Sequence, residues 1–391
     1  MEKNTNDFDV VYNRQNTNSL KYDRYKGKDV IPMWVADMDF RSPKPICDAL
    51  LMRISHGIFG YTTVPQELVN CLVDKLKRDY NWAVSPRSII ALPSIVVGLN
   101  LACRCSGCGG NEVIVFTPIY PPFLDAPPYS DRKLVTIPLA EKDNFYTIDI
   151  ESFKKAVTAN TKTLLFCNPH NPVGRMYDRE ELLSVADICL KNNITICSDE
   201  IHCDIVLADK KHIPIASLDK EIEDIAITLV SAGKTFNLPG LNCGFAIIPN
   251  EKLRRDFLRA KGGIVEPFVN LFGLTASLVA YRDCEDWKKE LLIYLKENKD
   301  ILYNAINTQM KPLSMGDVEA TYLAWIDARK LNVSNPVKFF EQAGVGLGDG
   351  SEFGSPGFVR LTFGCPQKIL LAAIERMKKA VRSRDRKGSG V

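Results

Sequence analysis

Three polar segments of this chain each follow a short apolar run, and together they hold the residue types that carbonyl–amine chemistry needs. Ser231-Ala-Gly-Lys234-Thr-Phe-Asn-Leu-Pro-Gly240 follows Ile225–Val230. Asn168-Pro-His-Asn171-Pro-Val-Gly174-Arg175 follows Thr163–Cys167, and Ser198-Asp199-Glu-Ile-His202-Cys-Asp204 follows Ile194–Cys197. A lysine at the end of a buried strand is desolvated, which disfavours its charged form and lowers its pKa. The neutral amine can then attack a carbonyl and hold a Schiff base. Alone, Lys234 reads as a surface residue on a strand-to-loop turn, and Asn171-Pro172 as a segment that resists helix and fixes a turn. Taken together, the segments lie where a site forms at the carboxyl edge of a parallel sheet.

In this order and spacing, Asn-Pro-x-Asn-Pro-x-Gly, then Asp-Glu, then Ser-x-x-Lys resembles the aspartate-aminotransferase superfamily of pyridoxal phosphate enzymes, fold type I. The resemblance implies an α/β fold, with a large domain built on a mostly parallel seven-stranded sheet and a smaller α+β domain. It makes Lys234 the residue that holds the cofactor and moves the Cα proton. Asp199 would pair with the pyridine nitrogen and keep it protonated, so that the ring accepts electrons. Asn171 would hydrogen-bond the phenolic oxygen, and Ser231 the phosphate. Leu92-Pro-Ser94-Ile95-Val96-Val97-Gly98 reads as a strand end entering a helix, whose free N–H groups at Ser94, Ile95 and Val96 suit a phosphate. Ser94 stands where the family commonly has glycine, Gly233 where a second serine is frequent, and Asn242 where an arginine often grips the phosphate. Near the other end, the segment Ser351–Pro366 resembles the family's substrate-carboxylate segment, and Arg360 offers the guanidinium fork that matches a carboxylate.

Within that superfamily the chain is most similar to the carbon–sulfur lyases of the MalY/PatB type. Pro32-Met-Trp34-Val-Ala36-Asp37-Met-Asp39-Phe40, Gly57-Ile-Phe-Gly60-Tyr61-Thr62 and Thr117-Pro-Ile-Tyr120-Pro-Pro-Phe123 carry this resemblance, which runs from about Asp7 to about Met377. His202 belongs to it as well, since many transaminases have tyrosine at that place. The resemblance implies that Tyr120 stacks on the cofactor and that His202 lies beside it. Ala36, Asp37 and Trp34 would line the substrate entrance. Tyr61 would cross from a second subunit to the phosphate or the leaving group, making the active unit a homodimer. The implied reaction is β-elimination from cystathionine, cystine or another cysteine S-conjugate. An aminotransferase shares its first steps and stays open as an alternative, as does a regulatory protein on the same fold.

Alternation of apolar runs with helical segments predicts the sheet that must position these residues. Strands are expected at Glu112–Phe116, Leu134–Pro138, Thr163–Cys167, Ile194–Ser198, Ile225–Val230 and Gly244–Ile248, with helices at Glu180–Lys191 and Asn270–Tyr281. Beyond them a long helix (Asp286–Asn307), strands at Tyr322–Asp327 and Phe358–Thr362, and a terminal helix (Lys368–Val381) with a frayed polar tail are expected. The division reads as 46–281 for the large domain, with 1–45 and 282–391 forming a smaller domain that closes over the substrate. At 391 residues and 46% hydrophobic composition the chain supports such a core. The net charge of +3 is too small to argue for nucleic acid or a membrane surface, and no apolar run is long enough to span a bilayer. The polar start, Met1–Asn6, lacks a signal-peptide core, so the cytoplasm is expected. Of the twelve cysteines, Cys167, Cys189 and Cys197 lie in apolar runs, while Cys103-Arg-Cys105-Ser-Gly-Cys108 lacks a second Cys/His pair at zinc spacing. No metal is expected.

Overall fold

The buried strands face two ways, and that alternation builds the larger half of the molecule. The computed structural model describes residues 7–388, with side chains through 384, so the reading of Met1–Asn6 lies outside the described residues. The main sheet contains β1 (Ile89–Leu92), β2 (Glu112–Thr117), β3 (Lys133–Pro138), β4 (Thr161–Cys167), β5 (Thr195–Asp199), β6 (Ala226–Val230) and β7 (Gly244–Ile247). Its order is β1-β7-β6-β5-β4-β2-β3, seven strands as expected. From β6 to β3 the pairs are parallel, whereas β7 runs antiparallel to both its neighbours.

The helices that bear on the site are α1 (Lys44–His56), α2 (Gln66–Tyr80), α3 (Ile95–Cys105), α4 (Arg179–Lys191), α5 (Leu271–Asp283), α6 (Glu285–Asn304) and α7 (Gln367–Gly388). Successive strand residues point to opposite faces. Ile114, Phe116, Leu164, Phe166 and Ile196 therefore pack with Leu182, Val185 and Cys189 of α4. Val113, Val115, Leu165 and Cys197 pack instead with Leu99 and Ala102 of α3. A strand buried on both faces is largely apolar, and the buried polar residues here, Glu112, Thr161, Thr163, Ser198 and Asp199, lie toward the strand ends.

A second sheet, β8 (Ser314–Met315), β9 (Leu323–Asp327), β10 (Gly348–Asp349) and β11 (Phe358–Thr362), is antiparallel in the order β8-β9-β11-β10. Its core joins the two ends of the chain: Phe8, Met33, Met38 and Phe40 pack with Leu291, Leu295, Leu361, Phe363 and Leu370. The N-terminal segment is also tied by charge. Lys21, 1% exposed, places Nζ 2.8 Å from Asp39 Oδ2. Arg14 bridges Asp39 and Asp37, each at 2.7 Å.

The expected elements are present with shifted ends. The long helix starts at Glu285 and passes at Ala305–Gln309 into a π turn. The terminal helix does not fray after Val381 but continues to Gly388, since arginine and lysine, four of the six residues Arg382–Lys387, favour helix. Cys103 and Cys105 end α3, where burial pushes their thiols up to about 12 and 11.

Helix α5 packs on α1 and α2, and its start presses on the turn that leads into β7. A Cβ at Gly273 would lie 2.5 Å from the Leu241 carbonyl oxygen and 2.9 Å from Cys243 Cβ. Gly273→Ala is expected to cost about 1–3 kcal/mol through this overpacking and to displace the turn. A lowered thermal midpoint checks it, and an unchanged one would show that the turn yields freely.

Candidate active site

The carboxyl ends of β4, β5 and β6 lie level, because Cys167 pairs with Asp199 and Asp199 with Leu229. The three polar segments therefore emerge side by side, and their side chains meet in a cavity of about 600 Å³. Ser94, Ile95, Val96, Tyr120, Asn171, Asp199, His202, Ser231 and Lys234 line it from the main sheet; Ala36, Asp37 and Arg360 line it from the other side. Every site residue expected within one chain is thus in one place, and Tyr61, expected to reach a second subunit's site, stands apart. That side chain is 88% exposed and packs on Phe268, with ring centroids 4.8 Å apart.

Lys234 follows β6 and donates from Nζ to the Ala36 carbonyl at 2.8 Å. Burial, then the nearby Arg360 charge, lowers its pKa to about 8, while Asp37 and Asp199 act the other way. Asp199 ends β5 and accepts from the Ile201 N–H at 3.0 Å. Burial raises its pKa to about 7, and the Ile201 N–H and then the Lys234 charge offset this only in part. His202 is buried and held neutral, first by desolvation and then by Lys234 and Arg360; its Nδ1 has no partner among the described residues.

Arg360 is on β11, in register with Trp325 of β9. Its Nη1 donates to Asn171 Oδ1 at 3.2 Å and its Nη2 to the Trp34 carbonyl at 3.0 Å. The guanidinium also lies over the Phe353 ring, 4.6 Å from its centroid. Nε is buried without a partner among the described residues, and burial lowers the pKa to about 10. A buried cation with an unused donor is built to receive an anion. Asn171 accepts from the Tyr120 N–H through its carbonyl at 3.1 Å, which joins the two loops.

Ser94 caps α3, its Oγ accepting from the Val97 N–H at 3.2 Å. The first N–H groups of a helix have no partner within it, so the Ile95 and Val96 amides are available at the cavity wall. Ser231 donates to the Cys243 carbonyl at 2.7 Å and accepts from the Gly233 N–H at 2.9 Å. Asn242, at φ 49°, completes that wall.

The sequence reading missed several residues that hold the site. Tyr322 donates to the same Ala36 carbonyl as Lys234, at 3.0 Å. Asn237 accepts from the Met38 N–H at 3.0 Å and donates to the Met38 and Phe40 carbonyls at 2.9 and 2.8 Å. Arg14 and Lys21 hold Asp37 and Asp39 from outside the cavity. Tyr322 opens an expected strand and Asn237 lies within the lysine segment, but neither position marks a contact with the N-terminal segment.

The chain belongs to the aminotransferase class I and II family, whose model matches residues 25–377. Its architecture is that of fold type I. Among individual relatives it is similar to cystathionine beta-lyase PatB of Bacillus subtilis, 35% identical over 96% of this chain and 99% of that one. Of solved structures, OvoB matches with a TM-score of 0.93 and 38% identity, over 96% of this chain and 99% of that one. Cystalysin of Treponema denticola, whose structure contains a pyridoxal 5'-phosphate cofactor, matches at 0.93 with 30% identity, over 96% and 99% of the two chains.

Lys234 should lose its proton with a midpoint near pH 8, so the cofactor-free protein is expected to react there faster as pH rises through 8. Competitive acetylation read by mass spectrometry checks this. Arg360→Met, which removes a neighbouring positive charge, should move the midpoint upward; a downward move would contradict the electrostatic account.

Proposed function

We propose that this protein is a pyridoxal-phosphate-dependent carbon–sulfur β-lyase, releasing thiol, pyruvate and ammonia from L-cystathionine or a related cysteine S-conjugate. One observation carries the reading. Lys234, Asp199 and Arg360 converge in one cavity of a chain 35% identical, along nearly its whole length, to a cystathionine beta-lyase.

The residues fit the cofactor. A buried amine with a depressed pKa, a buried carboxylate without a strong cationic partner, an orphaned His202 Nδ1 and a helix start lie around one space. Lys234 would hold the aldehyde carbon, Asp199 the ring nitrogen, and Asn171 the phenolic oxygen with His202 nearby. Tyr120 would cover the ring, and Ser94, Ile95, Val96 and Ser231 would hold the phosphate. Bound there, pyridoxal phosphate supplies the electron sink for the charge left when Cα loses its proton.

The chain's own residues do the rest. Arg360 takes the substrate carboxylate, its unpaired Nε adding a donor that the free protein leaves idle. Lys234 Nζ, as a neutral amine, removes the Cα proton. The carbon–sulfur bond breaks with its electron pair on sulfur, and the thiolate leaves Cβ. The resulting 2-aminoacrylate hydrolyses to pyruvate and ammonia.

Two features extend the reading. Leu51, Met52, Ile54, Ile58, Phe59 and Tyr61 are exposed along α1 and the loop after it, an apolar surface that a second copy would cover. We assign the active unit as a homodimer in which Tyr61 serves the partner's site. Residues 46–281 form the cofactor domain in this reading; 1–45 with 282–391 form the closing domain, supported by the core that Phe8 and Met38 share with Leu291 and Phe363. No helix of the described residues is long and apolar enough to cross a membrane. Twelve free cysteines suit a reducing compartment, which favours the cytoplasm.

With L-cystathionine and no keto acid, pyruvate and thiol should accumulate over many turnovers. A halt after one turnover would make the protein an aminotransferase. Lys234→Ala should abolish release while circular dichroism stays unchanged. Arg360→Met should raise KM roughly 10- to 100-fold, the worth of about 1.5–3 kcal/mol in charged hydrogen bonds. Mixing inactive Lys234→Ala subunits with Tyr61→Ala subunits should restore activity through hybrid dimers, and failure to do so would remove Tyr61 from the shared site.

A further inference from the structure

His170 precedes Asn171 in the segment after β4 but does not line the cavity, and the chemistry above leaves it unused. Its side chain is buried and both ring nitrogens are engaged. Nε2 lies 2.8 Å from the Pro118 carbonyl oxygen, and Nδ1 lies 3.0 Å from the Tyr177 hydroxyl. A carbonyl only accepts, so the ring proton is on Nε2 and the bare Nδ1 accepts from Tyr177. Burial lowers the His170 pKa to about 4; the Pro118 bond offsets this in part and the Arg175 charge adds to it. The ring is therefore neutral, with one donor and one acceptor, and each is used.

That imidazole joins the two segments that flank the cavity. Pro118, Ile119 and Tyr120 are each held by a different partner. The Pro118 carbonyl accepts from His170, the Ile119 N–H donates to the Phe353 carbonyl at 3.0 Å, and the Tyr120 N–H donates to the Asn171 carbonyl at 3.1 Å. His170 is itself fixed, its N–H donating to the Arg175 carbonyl and its carbonyl accepting from the Gly174 N–H, both at 2.8 Å. Tyr177 stacks on Phe166 of β4, with ring centroids 5.2 Å apart, and its N–H donates to Asn168 Oδ1 at 3.3 Å. At the cavity, Asn171 Oδ1 is taken by Arg360, which leaves Nδ2 as the end that can donate inward.

We propose that His170 is a positioning residue, a strut from Tyr177 to the Pro118 carbonyl that sets Tyr120 against Asn171 at the spacing a cofactor ring requires. The inference rests on the reading that Tyr120 covers the ring of pyridoxal phosphate and Asn171 Nδ2 donates to its phenolic oxygen. Without the strut, the Pro118 carbonyl is buried unpaired, and the face and edge contacts of the ring lose their common reference.

The test reads the absorption band of pyridoxal phosphate bound on Lys234 in the purified holoenzyme as pH is varied. A donor on the phenolic oxygen favours its ionised form, so weakening that donor moves the midpoint of the band upward. His170→Phe keeps a ring and removes both nitrogens. Its midpoint should rise by about 0.5–1 pH unit, and equilibrium dialysis should find the cofactor held about three- to tenfold less tightly. Tyr177→Phe, the milder change, should move the midpoint the same way by about half as much, and it carries the test where His170→Phe fails to fold. His170→Gln, which returns a donor to the Pro118 carbonyl, should recover most of the shift. An unchanged band midpoint in the phenylalanine variants, even with a lowered thermal midpoint, would overturn the inference while the lyase reading stands. So would a His170→Gln shift as large as that of His170→Phe. The expected shifts without pyruvate release from L-cystathionine by the wild type would overturn the lyase reading alone. A wild type that forms no such band would overturn both.

Discussion

The bond from Lys234 Nζ to the Ala36 carbonyl ties the two halves of this molecule together. Lys234 comes from the sheet edge after β6, whereas Ala36 comes from an N-terminal segment packed on the second sheet. A buried amine needs an acceptor, and here the acceptor is backbone, which adds no negative charge to hold the proton on nitrogen. The same carbonyl accepts from Tyr322, so its position is fixed from the second sheet as well. Trp34 and Val35 are held in turn by Arg360 Nη2 and Thr362 Oγ1, each at 3.0 Å, and the Met38 backbone by Asn237. The segment over the lysine is therefore anchored residue by residue, without regular secondary structure of its own between Trp34 and Phe40.

The electrostatics of the cavity follow from burial more than from pairing. Lys234, Asp199 and Arg360 are each displaced from their ordinary pKa in the direction that disfavours charge, to about 8, 7 and 10. Desolvation is the first cause for all three; the Arg360 charge adds to it at Lys234, while Asp37 and Asp199 soften it there. A protein designed for stability alone would pair these groups or replace them with apolar residues. Leaving them under-partnered means that an incoming carboxylate or ring nitrogen completes interactions the fold has left open.

The parts legible in the sequence were those that local rules determine. Strands β2, β4, β5 and β6 are apolar runs ending at polar segments and pair in parallel, with a single register shift at Glu112/Val113 where β2 meets β4. That is why Asn171, Asp199 and Lys234 could be placed together before any coordinates. The resemblance supplied Arg360, because nothing local says that β11 faces the edge of another sheet. Helix α2 carries Leu68, Leu72 and Leu76 at helical spacing, but its start at Pro65 has no side-chain cap to announce it. Tyr322, Asn237, Arg14 and Lys21 were illegible for a different reason. Each acts on Ala36–Phe40 across a long sequence separation, and only the tertiary fold creates that proximity.

Lys21 shows how far this logic reaches. A lysine 1% exposed is expensive, and it is kept because Asp39 and the Asp37 carbonyl receive its protons, at 2.8 and 3.1 Å. An apolar pair of similar volume would fill the same space, but it could not hold a backbone carbonyl one residue from the one that holds Lys234. Arg14 binds both carboxylates as well, so the four charges of the clamp sum to zero, while Asp37 still acts on the Lys234 amine and raises its pKa. The N-terminal segment is therefore part of the cavity wall, and the sheet-edge groups that face it, Lys234 first, are held in place against it.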